Sequence, residues 1–199
     1  MAGCGQTDGF ALDLGDASAV FVDVTTILGR GEDTYLESPF FHHEVLHGVH
    51  YANRPAFASG QRRGPQEELL KALLSEGLAT FYAGLATGAS EASLLWIDMF
   101  DADRFQAWKE AAVAARPAYA QRLQRFVCTP EAEPDLTADL LYVLEFKDLD
   151  EKRFGYWYGY EIAASMHQSS GNALAVDYPS ARAAVFSYFG VSESCSPGS

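Results

Sequence analysis

The chain has 199 residues, of which 48% are hydrophobic and 13% aromatic, so it can build a core and is not a disordered protein. Its 14 basic and 27 acidic residues give a formal net charge of −13, which argues against nucleic acid and anionic membrane surfaces as partners. No stretch reaches the roughly 18 to 20 consecutive apolar residues of a membrane span. We therefore expect one domain, a peptide or other small partner, no nucleic acid and no membrane span.

The N-terminal region predicts a small amount of β-structure. Residues 1–30 are rich in Gly, Asp and Thr and contain one apolar run, Ala19 to Val24, whose β-branched residues favour a short strand. We assign residues 1–35 to a region of strand and loops. No basic and apolar leader is visible at the start, which favours a cytoplasmic protein, although a secreted protein without its leader would have the same 199 residues.

The three cysteines do not predict a disulfide framework. Cys4, Cys128 and Cys195 are an odd number at long spacings, and no pair has the spacing of a cysteine zinc site. A bridge between Cys128 and Cys195 stays open at this level.

From about residue 37 onwards the sequence pattern is helical. Ser38-Pro39 predicts the N-cap and the first residue of a helix that ends near Asn53. Gly64-Pro65, followed by two glutamates, predicts a second helix that ends near Gly84 or Gly88.

Further helices are predicted at about 101–126, with a break at Pro117 left open, and at 136–146, 154–169 and 178–189. Gly155 and Gly159 lie inside one of them at a cost of roughly 1 kcal/mol each relative to alanine, which indicates the close approach of another helix. We expect a mainly α (α+β) fold in one domain, with a helical core over 36–190 and a flexible tail over 191–199.

One segment of the first helix combines side chains that bind metals. His43, Glu44 and His47 form the pattern His-Glu-x-x-His. Residues four apart lie on one helix face, with Cβ atoms roughly 5 to 6 Å apart, so both imidazoles can reach one cation. Neutral imidazole suits zinc, and the glutamate after the first histidine is placed to take a proton from water on that zinc. The pattern therefore predicts one zinc ion per chain.

A catalytic zinc ion needs a third protein ligand and an open position. One version of the pattern has a third histidine six residues further on, and Asn53 at that position excludes it. Glu76, 29 positions after His47 in the sequence, lies in the second helix within an apolar run. We expect it to face inward, where an ionised carboxylate needs a partner. Glu76 is therefore the predicted third ligand.

These motifs resemble those of a known family. HEVLH, followed by SEGLATFY from residue 75, resembles the gluzincin-like metallopeptidases, in which H-E-x-x-H and a downstream E-G-L-A helix bind one zinc. The segment GYWYGYEI from residue 155 is similar to the G-Y-x-x-G-Y-x-I stretch of a family of predicted zinc-dependent proteases, long classed as a domain of unknown function. The resemblance spans about residues 19–189 and implies a single zincin-like helical domain with peptidase activity.

The resemblance also implies a role for each matching residue. The zinc ligands would be three side chains, His43, His47 and Glu76. Glu44 would be the general base that activates the zinc-bound water and later passes the proton to the leaving amine. Tyr156, or as the second choice Tyr160, would donate a hydrogen bond to the developing oxyanion.

Three functions stay open at this level. The first is a gluzincin-type metallopeptidase that hydrolyses peptide bonds in a peptide or protein substrate. The second is a zinc hydrolase of non-peptide substrates, because residues 8–28 offer little strand to hold a peptide. The third is a non-catalytic zinc-binding helical module that binds a partner protein. Glu44 beside intact ligands favours catalysis, because this residue serves the reaction rather than coordination.

Overall fold

Two short strands form the N-terminal part of the structure. A computed structural model describes residues 9–13, 18–22, 38–57, 64–97, 100–141 and 153–195. Strand β1 (Gly9–Asp13) pairs antiparallel with β2 (Ser18–Val22). β2 agrees with the strand predicted from residue 19 onwards. β1 has no counterpart in the prediction, because its sequence GFALD contains no β-branched residue.

Seven α-helices are present in the described ranges. They are α1 (Pro39–Asn53), α2 (Pro65–Thr87), α3 (Glu91–Leu94), α4 (Ala102–Cys128), α5 (Leu136–Leu141), α6 (Phe154–Ser170) and α7 (Tyr178–Phe189). The two-stranded sheet packs against α1. The chain is therefore a mainly α-helical single domain with a small N-terminal strand region, as predicted.

The capping residues explain where the helices begin and end. The Ser38 hydroxyl accepts a hydrogen bond from the Phe41 N–H (3.2 Å) at the start of α1. α2 ends before Gly88, which adopts the left-handed conformation with φ 66°. α4 continues through Pro117 without the break that the sequence left open. α5 ends at Leu141, and the remainder of the predicted 136–146 helix lies outside the described residues.

Helix α2 lies at the centre of the core. It packs along α1 and along α6. The leucines on its buried side are at most 1% exposed: Leu69, Leu70, Leu73, Leu74 and Leu78. By length and composition this helix could cross a membrane, and 61% of its most apolar window is buried inside the protein. Its packing between two other helices places the middle of α2, where Glu76 lies, next to α1.

Helices α2 and α6 meet at Gly77 and Gly159, and α6 meets α5 at Gly155. A Cβ atom on Gly159 would lie 2.5 Å from the Leu73 carbonyl oxygen and 2.9 Å from the Cα atom of Gly77. A Cβ atom on Gly155 would lie 2.6 Å from a carbonyl oxygen of α5. Side chains at these positions would overlap with backbone atoms, which cannot rotate away. The predicted close helix approach is confirmed, and it brings the start of α6 to the middle of α2.

The end of the described chain is attached to α4. Cys128, the last residue of α4, forms a disulfide with Cys195, and their Cα atoms are 5.5 Å apart. The Ser192 N–H also donates to the Gln124 side-chain oxygen (2.8 Å). Residues 191–195, which the sequence placed in a flexible tail, are therefore held to the helical core, because a covalent bond and a hydrogen bond connect them to α4. The bridge that the cysteine spacing left open is present.

Candidate metal centre

Helix α1 presents two histidines on one buried face. His43 and His47 are 2% and 5% exposed, and their ring centroids lie 4.6 Å apart. Because the residues are four apart, both imidazoles point to the same side of the helix. The two Nε2 atoms are 2.9 Å apart. The structure thus brings the two histidines of the motif to one point.

Helix α2 adds a carboxylate at this point. Glu76 Oε2 lies 3.1 Å from the Nε2 atom of His43, and Oε1 lies 3.6 Å from the Nε2 atom of His47. The Glu76 side chain is 25% exposed, whereas the two imidazoles are almost inaccessible. The carboxylate therefore lies on the side of the group that solvent reaches.

The nitrogen and oxygen atoms of the three side chains are spaced as ligands of one metal ion would be, with a different Glu76 oxygen facing each histidine. In a tetrahedral zinc site with bonds of about 2.0–2.1 Å, the ligand atoms are about 3.3–3.4 Å apart. The separations observed here, 2.9, 3.1 and 3.6 Å, lie on either side of this value. The group of His43, His47 and Glu76 could therefore hold a metal ion.

No family model, curated protein or solved structure matches this chain. The resemblance to gluzincin-like peptidases therefore stays a prediction that rests on the sequence motifs. What the site can do follows from its own side chains.

The charges of this group suit a cation. Burial and the neighbouring His47 lower the pKa of His43 to about 4, so its imidazole is neutral at pH 7. Burial opposes the charged form of His47, but the Glu76 carboxylate outweighs it and raises the pKa of His47. Burial likewise opposes the ionised form of Glu76, but the two histidines hold its pKa well below the ordinary value. The ionised Glu76 carboxylate thus favours positive charge at this point, which a metal ion would supply.

Two hydroxyl groups face the outer nitrogens of the histidines. Thr80 Oγ1 lies 3.4 Å from the Nδ1 atom of His43, and the Tyr51 hydroxyl lies 3.4 Å from the Nδ1 atom of His47. When Nε2 binds a metal, Nδ1 carries the proton and donates to such an oxygen, which fixes the orientation of the ring. The sequence reasoning missed both hydroxyls. Each follows a candidate ligand by four positions in its own helix, and that spacing is the signal that could have identified it.

Glu44 and Tyr156 lie next to the candidate ligands. Glu44 is 7% exposed, and its charge contributes to the raised pKa of His47. Burial, followed by the charge of Glu76, raises the pKa of Tyr156, so its hydroxyl stays protonated at neutral pH. The charge of Arg153 acts on the pKa of Tyr156 in the opposite direction, so both charged side chains are near this residue. The structure therefore places one predicted proton acceptor and one predicted hydrogen-bond donor beside the group.

Tyr160 has other neighbours. Its ring stacks on Trp157, with centroids 5.5 Å apart, and contacts Phe81 at 5.7 Å. Burial and the carboxylate of Glu91 raise its pKa. These contacts of Tyr160 do not involve the candidate ligands, whereas the charge of Glu76 acts on Tyr156. A catalytic role for Tyr160 stays a prediction.

Two further residues beside the ligands carried no sequence signal. The Trp96 ring lies 4.8 Å from the His43 ring and 5.3 Å from the Tyr156 ring, between centroids. Its indole Nε1 is buried without a hydrogen-bond partner, and an unsatisfied buried donor costs roughly 1–3 kcal/mol. The Arg153 guanidinium lies 5.0 Å from the centroid of the Trp96 ring. Trp96 follows the end of α3 and Arg153 precedes α6, and neither belongs to a motif, so only the folded chain reveals that they meet here.

Proposed function

We propose that the protein is a zinc-dependent metallopeptidase of the gluzincin type. The observation that carries this proposal is the meeting of two imidazole nitrogens and a carboxylate, at 2.9, 3.1 and 3.6 Å from one another. Glu44, buried on the same helix as the two histidines, adds a group that a purely structural metal site would not need.

The donor set supports zinc over magnesium or calcium. Imidazole nitrogen is a preferred ligand of zinc, whereas magnesium and calcium prefer all-oxygen sites. A structural zinc ion has four protein ligands, and a catalytic one has three and an open position. In the described part of the chain this group offers three ligands, His43, His47 and Glu76. They would hold one zinc ion per chain and leave a position for water or substrate.

The surrounding residues would divide the chemistry between them. A bound zinc ion supplies a Lewis acid that lowers the pKa of water to about 7 and polarises a carbonyl group. Glu44 would take the proton of the attacking water and deliver it to the leaving amine nitrogen. Tyr156, protonated at neutral pH, would donate a hydrogen bond to the carbonyl oxygen as negative charge develops on it. Thr80 and Tyr51 would hold the two imidazoles in orientation.

The experiment that tests this function compares Glu44→Gln with wild type on a library of peptides, with cleavage followed by mass spectrometry. We expect the wild-type protein to cleave peptides when zinc is supplied and to stop when a chelator is added. Glu44→Gln should keep its zinc and lose activity by roughly 100- to 10,000-fold, the usual contribution of a general base. Glu110→Gln, the same change at an exposed position, is the control and should behave as wild type.

The outcomes separate the three functions. Cleavage that survives in Glu44→Gln would contradict the assignment of the general base. Bound zinc without cleavage of any peptide would favour the non-peptide hydrolase or the non-catalytic module. A protein that binds no zinc would remove the basis of all three.

A further inference from the structure

Trp96 and Arg153 are the two non-glycine residues of the described chain with positive φ, at 54° and 67°. Bulky residues rarely adopt this conformation, and strain of this kind is concentrated at functional sites. The two residues are 57 positions apart in sequence, yet they are in contact, with the Arg153 guanidinium 5.0 Å from the Trp96 ring centroid. Two strained backbone positions therefore hold one pair of side chains together.

This pair lies beside the candidate metal centre. The Arg153 guanidinium is 4.6 Å from the Tyr156 ring centroid, and the Trp96 ring is 4.8 Å from the His43 ring. The positive charge of Arg153 contributes to the lowered pKa of His43. The guanidinium is thus held over two aromatic faces, and one of these rings, that of Trp96, also contacts the ring of His43.

Arg153 differs from Arg122, Arg125 and Arg182 in its charge environment. Arg122 and Arg125 form ion pairs with Glu133, and Arg182 forms one with Glu67. Within the described ranges the guanidinium of Arg153 lies over the rings of Trp96 and Tyr156, and no ion pair between it and a carboxylate is present. This leaves much of a planar fork of five N–H donors for another anion.

The formal charge of the site points in the same direction. The charge of a zinc ion cancels that of the Glu44 and Glu76 carboxylates, so Arg153 would leave the site with a net charge of +1. The whole chain carries a formal charge of −13. An excess positive charge confined to this position favours an anionic group on the bound molecule.

We propose that Arg153, held by Trp96, binds a carboxylate of the substrate close to the bond that is cleaved. The inference rests on the proposed function and adds a substrate class to it. The carboxylate can come from the C-terminus of a peptide or from an Asp or Glu side chain, and both would form paired hydrogen bonds with the guanidinium.

The test measures binding rather than turnover. Isothermal titration calorimetry of the zinc-supplied Glu44→Gln protein would use N-acetyl-Phe-Ala-Phe and its C-terminal amide, and two further amides with Asp or Asn in place of Ala. We expect one of the two carboxylate peptides to bind roughly 10- to 100-fold more tightly than its neutral partner, the usual effect of hydrogen bonds to a charged group. The first pair tests the C-terminus, and the second pair tests an acidic side chain.

Variants then assign the preference to Arg153. Arg153→Gln should abolish the difference within each pair, and Arg153→Lys, which keeps the charge but not the fork, should reduce it severalfold. The matched control is Arg116→Gln, because the Arg116 guanidinium also lies over a tyrosine ring, that of Tyr188 at 5.1 Å, and is not part of this cluster. Arg116→Gln should keep the preference.

The results distinguish this inference from the proposed function. Equal binding within both pairs, a preference that persists in Arg153→Gln and Arg153→Lys, or no binding of any of the four peptides would overturn the inference. Zinc binding and Glu44-dependent cleavage of the peptide library are measured separately. Cleavage without a preference for carboxylate peptides would contradict this inference but not the proposed function. An Arg153-dependent preference in a protein that cleaves no peptide would contradict the proposed peptidase function but not the binding of a carboxylate by Arg153.

Discussion

The replacement of Gly159 by alanine should loosen the contact on which the site depends. The new Cβ atom would lie 2.5 Å from the Leu73 carbonyl oxygen, which is 0.9 Å less than the 3.4 Å at which ordinary contact begins. The Leu73 carbonyl group and Gly159 both belong to helix backbones, so this overlap can be relieved only if α2 and α6 move apart. Overpacking costs about 1–3 kcal/mol, and the better helix propensity of alanine offsets at most about 1 kcal/mol of it.

We expect Gly159→Ala to lower the free energy of unfolding by about 2 kcal/mol, which corresponds to a fall in Tm of roughly 4–8 °C for a chain of this size. Differential scanning calorimetry and urea unfolding measure it. Peptide cleavage should fall further than zinc content, because α6 carries Tyr156 whereas the three candidate ligands lie on α1 and α2.

Gly84→Ala provides the matched control in α2. Its Cβ atom would lie 2.7 Å from Cδ1 of Leu94, the end of a flexible side chain that can move. Because alanine is the better helix former, we expect this variant to be unchanged or stabilised by up to about 1 kcal/mol. If Gly159→Ala were as stable as Gly84→Ala, the reasoning about the helix crossing would be refuted.

Three other substitutions probe separate parts of the structure. Tyr156→Phe should reduce kcat by roughly 100- to 1,000-fold, as expected for one oxyanion donor; an unchanged kcat in steady-state assays would count against this role. Burial, with the charge of His47, lowers the pKa of His50 to about 4. Between about pH 6.5 and 4 the unfolded chain therefore binds more protons at this residue than the folded chain does. The metal-free protein should lose stability as the pH falls through that window. His50→Gln should show a shallower loss in Tm measured against pH; an unaltered slope would exclude His50 as a cause. Cys128→Ser removes the cross-link between residues 67 positions apart and should lower the free energy of unfolding by about 2–4 kcal/mol, measured by chemical denaturation. Equal stability of the wild-type protein with and without reductant would contradict the disulfide. Disulfides of this kind persist in oxidising compartments.

The parts of the site that depend on local spacing could be predicted from the sequence. His43 and His47 needed only the four-residue period of a helix and the Ser38-Pro39 start to be placed on one face. The prediction of Glu76 also assumed that an acidic residue within an apolar run faces inward. The contacts of Glu76 with the two histidines agree with that assumption.

The parts that depend on tertiary packing could not be predicted. Trp96 and Arg153 lie outside the helices, where the sequence has no regular pattern of apolar residues. Their contact depends on the way α6 packs against α2 at Gly77 and Gly159. The hydroxyls of Tyr51 and Thr80 have the right spacing, but their role becomes visible only when the ring nitrogens point at them. Strand β1 is five residues long and has little strand propensity, so its pairing with β2 is also a result of context.

The central claim is that His43, His47 and Glu76 together hold one zinc ion. Zinc K-edge X-ray absorption, combined with metal analysis of the full chain, tests it most directly. We expect one zinc per chain, with two imidazole nitrogens and a carboxylate oxygen at about 2.0–2.2 Å, and the loss of that zinc in both His43→Ala and Glu76→Ala. A chain that takes up no zinc when it is supplied in excess, or that binds it equally well without His43, would contradict the claim.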